Sequence, residues 1–310
     1  MEPNEDIHIL GQVRGLDYPK GKYKIEGKVY CAAWIDLLGQ GEELRQVAAV
    51  RDPGEQSEAF KKVAKQTLGA VIDLRKSIDA SVQEFTRLAR SEMRPMSDHE
   101  WVEMKRLRSF ELTCKPYSDA LCVHIPTVNT MGFWSVAGIQ SIMHALILCI
   151  PGYLITKHPV RGAVDVGIGM EISDSELYGP VLANVVHMES KVAVHPRVIV
   201  GQGMREFVNS MAAMPDDSPG MKPHEIRVCR AAASRMQSFF ARDRDGEWIL
   251  HYLGKPVLDM LDDDGKWGDY LKQAFKSVCA SIEEARNPKV RAKYEWVAEY
   301  FTRWVPHLTA

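Results

Sequence analysis

The chain has 310 residues, 45% hydrophobic and 26% charged, with 39 Lys and Arg against 41 Asp and Glu. These are the proportions of an ordinary globular protein of about two domains, or of one domain with a large extension. Near-neutrality excludes a polybasic nucleic-acid binder held by bulk charge and an acidic disordered tail, and 22 Gly with 16 Pro exclude collagen-like and low-complexity chains. Residues 1–28 are polar and glycine-spaced, which predicts a loose N-terminal arm; the acidic start, without an apolar run, does not read as a secretory signal. Val29 to Gly39 is an apolar, β-forming run that reads as a buried strand entering a turn near Asp36. Residues 56–91 place Phe60, Val63, Leu68, Val71, Ile72, Ile78, Val82, Phe85 and Leu88 at helical spacing, one long helix or two joined ones. A short helix is expected over Asp98 to Leu107, capped by Ser97.

Ser109 to Thr127 reads as a hairpin that turns at Pro116-Tyr117-Ser118. Val128 to Thr156 carries no Asp, Glu, Lys or Arg, long enough to span a bilayer. Asn129, Gln140, Ser141 and His144 interrupt it, so a helix at about 131–150, buried on nearly all sides and broken by Pro151-Gly152, is the better expectation. Arg161 to Ile172 follows as a Gly-rich strand, residues 173–180 as a turn, Val181 to Val194 as a helix and Pro196 to Gly201 as a strand. Residues 202–240 are mixed around the loop Met214 to Pro223. Asp243-Arg244-Asp245-Gly246 is a tight turn into a strand near 247–253, and 256–310 is helical, with aromatics at Tyr294, Trp296, Tyr300, Phe301 and Trp304 suited to core or dimer contact. No internal repeat is present. The order predicts a mixed α/β (α+β) sheet with helices on one face. The organisation is an arm (1–28), a domain (29–201) and a mainly helical C-terminal extension (202–310). Six dispersed cysteines without a C-x-x-C pair read as reduced thiols of a cytoplasmic protein.

Asp36 and Asp119 border buried β-like runs, where a carboxylate is costly unless paired, hydrogen-bonded or bound to a cation. On adjacent strands they would form a hard oxygen site suited to Mg²⁺ or Mn²⁺; the alternative is that Asp36 caps a turn and Asp119 closes the hairpin.

The motifs in order resemble the class III nucleotidyl cyclases, the catalytic domain of adenylyl and guanylyl cyclases. The first strand reads Trp34-Ile35-Asp36-Leu37-Leu38-Gly39, and the hairpin reads Lys115-Pro116-Tyr117-Ser118-Asp119. Glu176-Leu177-Tyr178-Gly179, Met188-Glu189-Ser190 and Arg197-Val198-Ile199-Val200 follow, so the resemblance covers about 29–201 and, more weakly, 247–253. It implies a ferredoxin-like, palm-type fold that converts a nucleoside triphosphate to a 3′,5′-cyclic mononucleotide and pyrophosphate. Asp36 and Asp119 match the metal ligands, and Leu37, Leu38 and Gly39 begin the loop that wraps the triphosphate. Lys115 and Glu176 match the base-reading pair, and Arg244 falls nearest the phosphate-binding Lys. Two departures stand out. The family's Asn and Arg on the following helix are Ala183 and His187 here, with Asn184 one position off; His187 is left as the only donor, weaker than Arg. The family also builds its site between two domains, which implies a homodimer, with neither nucleic acid nor membrane as partner. The free-standing arrangement resembles the bacterial pyrimidine cyclases of anti-phage defence. Loss of the helix donors equally suits a catalytically degenerate cyclase scaffold that binds nucleotides. A palm-type polymerase would need a Gly-Gly-Asp hairpin, and this one reads Tyr117-Ser118-Asp119. Arg161, Lys191 and Arg197 are open between a phosphate groove and ordinary surface pairs.

Overall fold

Strand β1 (Lys28–Leu37) buries residues on both faces, Cys31 and Ala33 on one, Ala32 on the other, and so takes a central place in the sheet. The computed structural model describes residues 27–38, 53–91, 110–130, 132–172, 176–261 and 266–309. Most of the expected arm, the helix at 98–107 with its Ser97 cap, and Gly39 lie outside them. After β1 come α1 (Pro53–Ser91), β2 (Thr113–Tyr117), β3 (Ala120–Pro126), α2 (Val136–Ile155) and β4 (Val160–Glu171). β1 pairs antiparallel with β3 and with β4, and β2 pairs antiparallel with β3. The sheet order β2-β3-β1-β4 is the ferredoxin-like split βαβ arrangement.

The chain continues through β5 (Leu177–Tyr178), α3 (Pro180–His187, ending in a π-turn, Met188–Val192), β6 (Val198–Val200), α4 (Gln202–Ala212) and α5 (Pro223–Ser238). β7 (Phe240–Arg242), β8 (Trp248–Leu250), α6 (Lys255–Leu261), α7 (Lys266–Glu284), α8 (Pro288–Trp304) and α9 (Pro306–Thr309) complete it. β6 joins β4 in parallel and β8 joins β6 antiparallel, so the C-terminal segment extends the same mixed sheet and shares its core.

Helices cover both faces, not one. Tyr30 is in register with Gly167, and a Cβ on Gly167 would meet Val181 of α3. Cys31 is in register with Ile125, and a Cβ on Gly138 of α2 would meet Ile125. Successive strand residues face opposite ways, so α3 and α2 flank the sheet. α2 is the charge-free segment: 83% of its apolar window is buried, with α1 and α7 packed on it. It runs through Pro151 to Ile155 instead of ending there. Packing against α7 holds it: Gly152 leaves room for the Tyr270 hydroxyl, which would lie 2.6 Å from a Cβ. On α1, Val71, Leu74 and Ile78 turn inward, whereas Phe60, Leu68 and Ile72 are exposed. The hairpin turns at Ser118-Asp119, with Ser118 in the left-handed region (φ 53), because Pro116 is accommodated within edge strand β2. Cys114 on that edge is exposed; Cys31, Cys122, Cys149 and Cys229 are buried.

The step from β6 into α4 depends on glycine. Met204 N–H and Val166 N–H both donate to the buried Asp165 carboxylate, 2.8 and 2.9 Å, so a carboxylate distant in sequence caps α4. A Cβ on Gly203 would sit 1.9 Å from the Val166 carbonyl oxygen. Gly203→Ala is expected to cost about 1–3 kcal/mol, or somewhat more, measured by urea unfolding; an unchanged midpoint would show that the helix start has room to shift.

Candidate functional site

β1 ends at a charged cluster. Asp36 is in register with Ala120 on β3, next to Asp119, and with Arg161 on β4. The Arg161 guanidinium donates to Asp36 Oδ2 from Nε at 3.2 Å and from Nη2 at 3.1 Å, and also pairs with Glu189. Glu189 enters from the π-turn after α3 with a side chain only 6% exposed. Burial is the main force that lifts the Asp36 carboxyl above its usual range; Arg161 pulls it back and Asp119 pushes it up. Burial likewise pushes Glu189 up to about 7, against Arg161 and with help from Asp36 and Asp119. A protonated Glu189 donates to Asp36, so the two carboxyls share a hydrogen bond. Lys293 on α8 joins the cluster: burial lowers its ammonium, with Arg161 adding repulsion and Asp36 attraction.

The same face continues along the sheet. Trp34 is in register with Cys122, which is in register with Lys115. Trp34 and Asp36 therefore share a face with Lys115 and Tyr117. The Trp34 and Tyr117 rings lie 5.0 Å apart. Burial raises the Tyr117 hydroxyl, with Cys122 and then Glu176 pushing the same way by repulsion.

The sequence-predicted residues thus divide. Asp36 and Lys115 share one face of the sheet, with Asp119 close enough to act on Asp36 and Glu176 close enough to act on Tyr117. Leu37 and Leu38 are buried, and the Leu38 N–H donates to the Pro159 carbonyl at 2.9 Å, so it is not free for a phosphate. His187 and Ala183 are exposed on α3. Asn184 donates to Asp165 at 3.2 Å and is thereby occupied. Arg244 pairs with Glu299 at the surface. The cation that the C-terminal segment brings toward Asp36 is Lys293, for which the sequence carried no signal beyond one more charge on an amphipathic helix. Glu189 was visible as a lone acid in an apolar stretch. Arg197 is buried in ion pairs with Asp243 and Asp245.

Among the described residues, no three His, Cys, Asp or Glu side chains are grouped to hold a metal ion. Asp36 and Asp119 are hard carboxylates of the kind that hold Mg²⁺ or Mn²⁺ together with substrate phosphates, but Arg161 already neutralises Asp36 in this arrangement.

Glu189 sets a pH dependence. Its folded value lies above the ordinary 4.5, so its contribution to stability is full below that value and is lost as pH rises through about 7. Glu189→Gln keeps a donor for Asp36 at every pH. Relative to this variant, the wild type is expected to lose on the order of 1–3 kcal/mol across that window. Parallel melting-temperature profiles of the two proteins would contradict it. Comparison with protein-family models, with curated proteins and with solved structures finds no match to this chain.

Proposed function

We propose that this protein is a nucleotidyl cyclase, converting a nucleoside triphosphate to a 3′,5′-cyclic mononucleotide and pyrophosphate in a homodimer. The observation that carries the reading is the convergence of Asp36 and Asp119 at one end of a ferredoxin-like sheet, near enough to raise the proton affinity of Asp36. The clustering of Lys115, Trp34 and Tyr117 on the same face, with Glu176 close enough to act on Tyr117, adds support, since flat rings beside a donor and an acceptor suit a nucleobase.

In the reaction the ribose 3′-oxygen forms a bond to the α-phosphorus while the bond from that phosphorus to pyrophosphate breaks, and the hydroxyl proton passes to water. Divalent cations held by Asp36 and Asp119 would lower the pKa of that hydroxyl and neutralise charge on the phosphates. Arg161 and Lys293 are suited to offset the charge of the departing pyrophosphate, and Trp34 with Tyr117 to orient the base. Arg161 must loosen its hold on Asp36 for this, which Glu189 permits by offering the guanidinium a second carboxyl oxygen. A cytoplasmic setting and a cyclic pyrimidine product belong to the same proposal.

A second reading is a cyclase-fold protein that binds nucleotides without turnover. Arg161 bonded to Asp36, and Ala183 in place of a helix donor, favour it. The test is incubation of the purified protein with each of the four nucleoside triphosphates and Mn²⁺, with products resolved by mass spectrometry. A cyclic mononucleotide supports the cyclase; nucleotide binding without product supports the scaffold.

A further inference from the structure

The far side of the sheet from Asp36 carries a cleft of about 660 Å³ between α1, the C-terminal end of α2 and the start of α7. Its volume lies in the range of small-molecule sites. Tyr153, Trp267 and Tyr270 supply flat walls, and the last two rings lie 5.0 Å apart, inclined by 31°. Two buried donors in these walls, the Tyr153 O–H and the Trp267 indole N–H, have no hydrogen-bond partner among the described residues. Tyr153 is only 6% exposed. The Ser77 hydroxyl lies beside it without hydrogen-bond geometry. A buried donor without an acceptor is costly, and neither group serves the carboxylate site. Asp73 supplies an acceptor in the same cleft.

Gly69 is the second observation. It lies in the interior of α1, where glycine is the poorest residue after proline, and it lines the cleft at a point where an added Cβ would meet no atom within 4 Å. Neither a turn nor a close backbone approach requires it; its effect is to leave the cleft open.

We infer that this cleft binds a nucleobase-like heterocycle: a flat ring that stacks against the Trp267–Tyr270 pair, accepts from the Tyr153 hydroxyl through a carbonyl or ring nitrogen, and donates an N–H to Asp73. The inference stands apart from the cyclase reading, because the cleft shares no residue with the carboxylate cluster.

The probes are cytidine, uridine, adenosine and guanosine, titrated calorimetrically into the full chain. At least one is expected to bind one-to-one with Kd below about 1 mM. Gly69→Leu fills the cleft and improves helix propensity, so it is expected to fold and to weaken binding at least about tenfold. Tyr153→Phe removes one donor and is expected to weaken binding several-fold, and Asp119→Asn to leave it unchanged. No binding to wild type, or equal affinity in Gly69→Leu and Tyr153→Phe, would overturn the inference. Binding lost in Asp119→Asn but kept in Gly69→Leu would assign the nucleoside to the carboxylate face and overturn it equally.

Discussion

Asp119→Asn protein is expected to melt like the wild type and, on the proposed cyclase reading, to form cyclic nucleotide at least about 10²–10³ times more slowly. Asp119 sits half-buried in the two-residue turn between β2 and β3, where Asn satisfies the same backbone geometry. The substitution keeps the shape of the side chain and removes one negative charge. In the folded protein that charge acts on Asp36 and Glu189 by repulsion, so its loss relaxes the apoprotein. On the proposed cyclase reading, what the variant loses is attraction for a divalent cation and its nucleotide, which would need both carboxylates. A thermal melt beside a product assay separates the two effects. Full turnover by a folded Asp119→Asn protein would sink the two-carboxylate mechanism, and a collapsed melting temperature would reassign Asp119 to the hairpin's own stability.

Arg197→Met is expected to cost about 3–5 kcal/mol, the largest single effect on stability anticipated here. The guanidinium is 2% exposed. It pairs with Asp243 and Asp245, donates to the Val192 carbonyl at 3.0 Å, and lies 5.7 Å from the centre of the Trp296 ring. One side chain therefore ties the π-turn, the loop before β6, the β7–β8 turn and α8 together. Without it, Asp243 keeps a buried carboxylate with its strongest partner gone. A buried charge stripped of its counter-ion loses more than the pair itself contributes. Calorimetric melting should fall by roughly 5–8 °C for a chain of this size. Arg197→Met combined with Asp243→Leu should recover much of the loss, because the uncompensated charge is then removed. A double variant no more stable than the single one would locate the cost in lost packing on Trp296.

Much of the architecture was legible beforehand. Alternating and continuous apolar runs marked β1, β3, β4 and β6, and the helical periods of α1, α3 and the C-terminal helices were equally plain. These signals are local: burial on one face imposes a period of two or 3.6 residues on the sequence itself. Where a local rule failed, packing had overruled it. Pro151 reads as a stop, yet α2 continues because neighbouring helices hold its last turn. Pro116 reads as turn chemistry, yet it sits in β2, where an edge strand needs no partner for the missing N–H. Gly203 is an ordinary glycine in the sequence and becomes indispensable only where α4 meets the β4 backbone.

The candidate site divides along the same line. Asp36 and Asp119 were visible as acids bordering buried β-like runs, with turn capping as the alternative, and the resemblance of the ordered motifs gave them weight. That Asp36 is held by Arg161, 125 residues away, and lies beside Glu189 was decided by strand register and by a π-turn. Lys293 reaches the cluster only because α8 folds back over the 195–197 loop, with Trp296 stacked on His195. The sequence by itself determined the order of strands and helices, the charge-free core helix and the two aspartates, since each is written in neighbouring residues. The tertiary structure alone decided which face each helix covers, which cations meet those aspartates and where the aromatic cleft opens, because these depend on groups brought together across the chain, whose mutual energies no local pattern records.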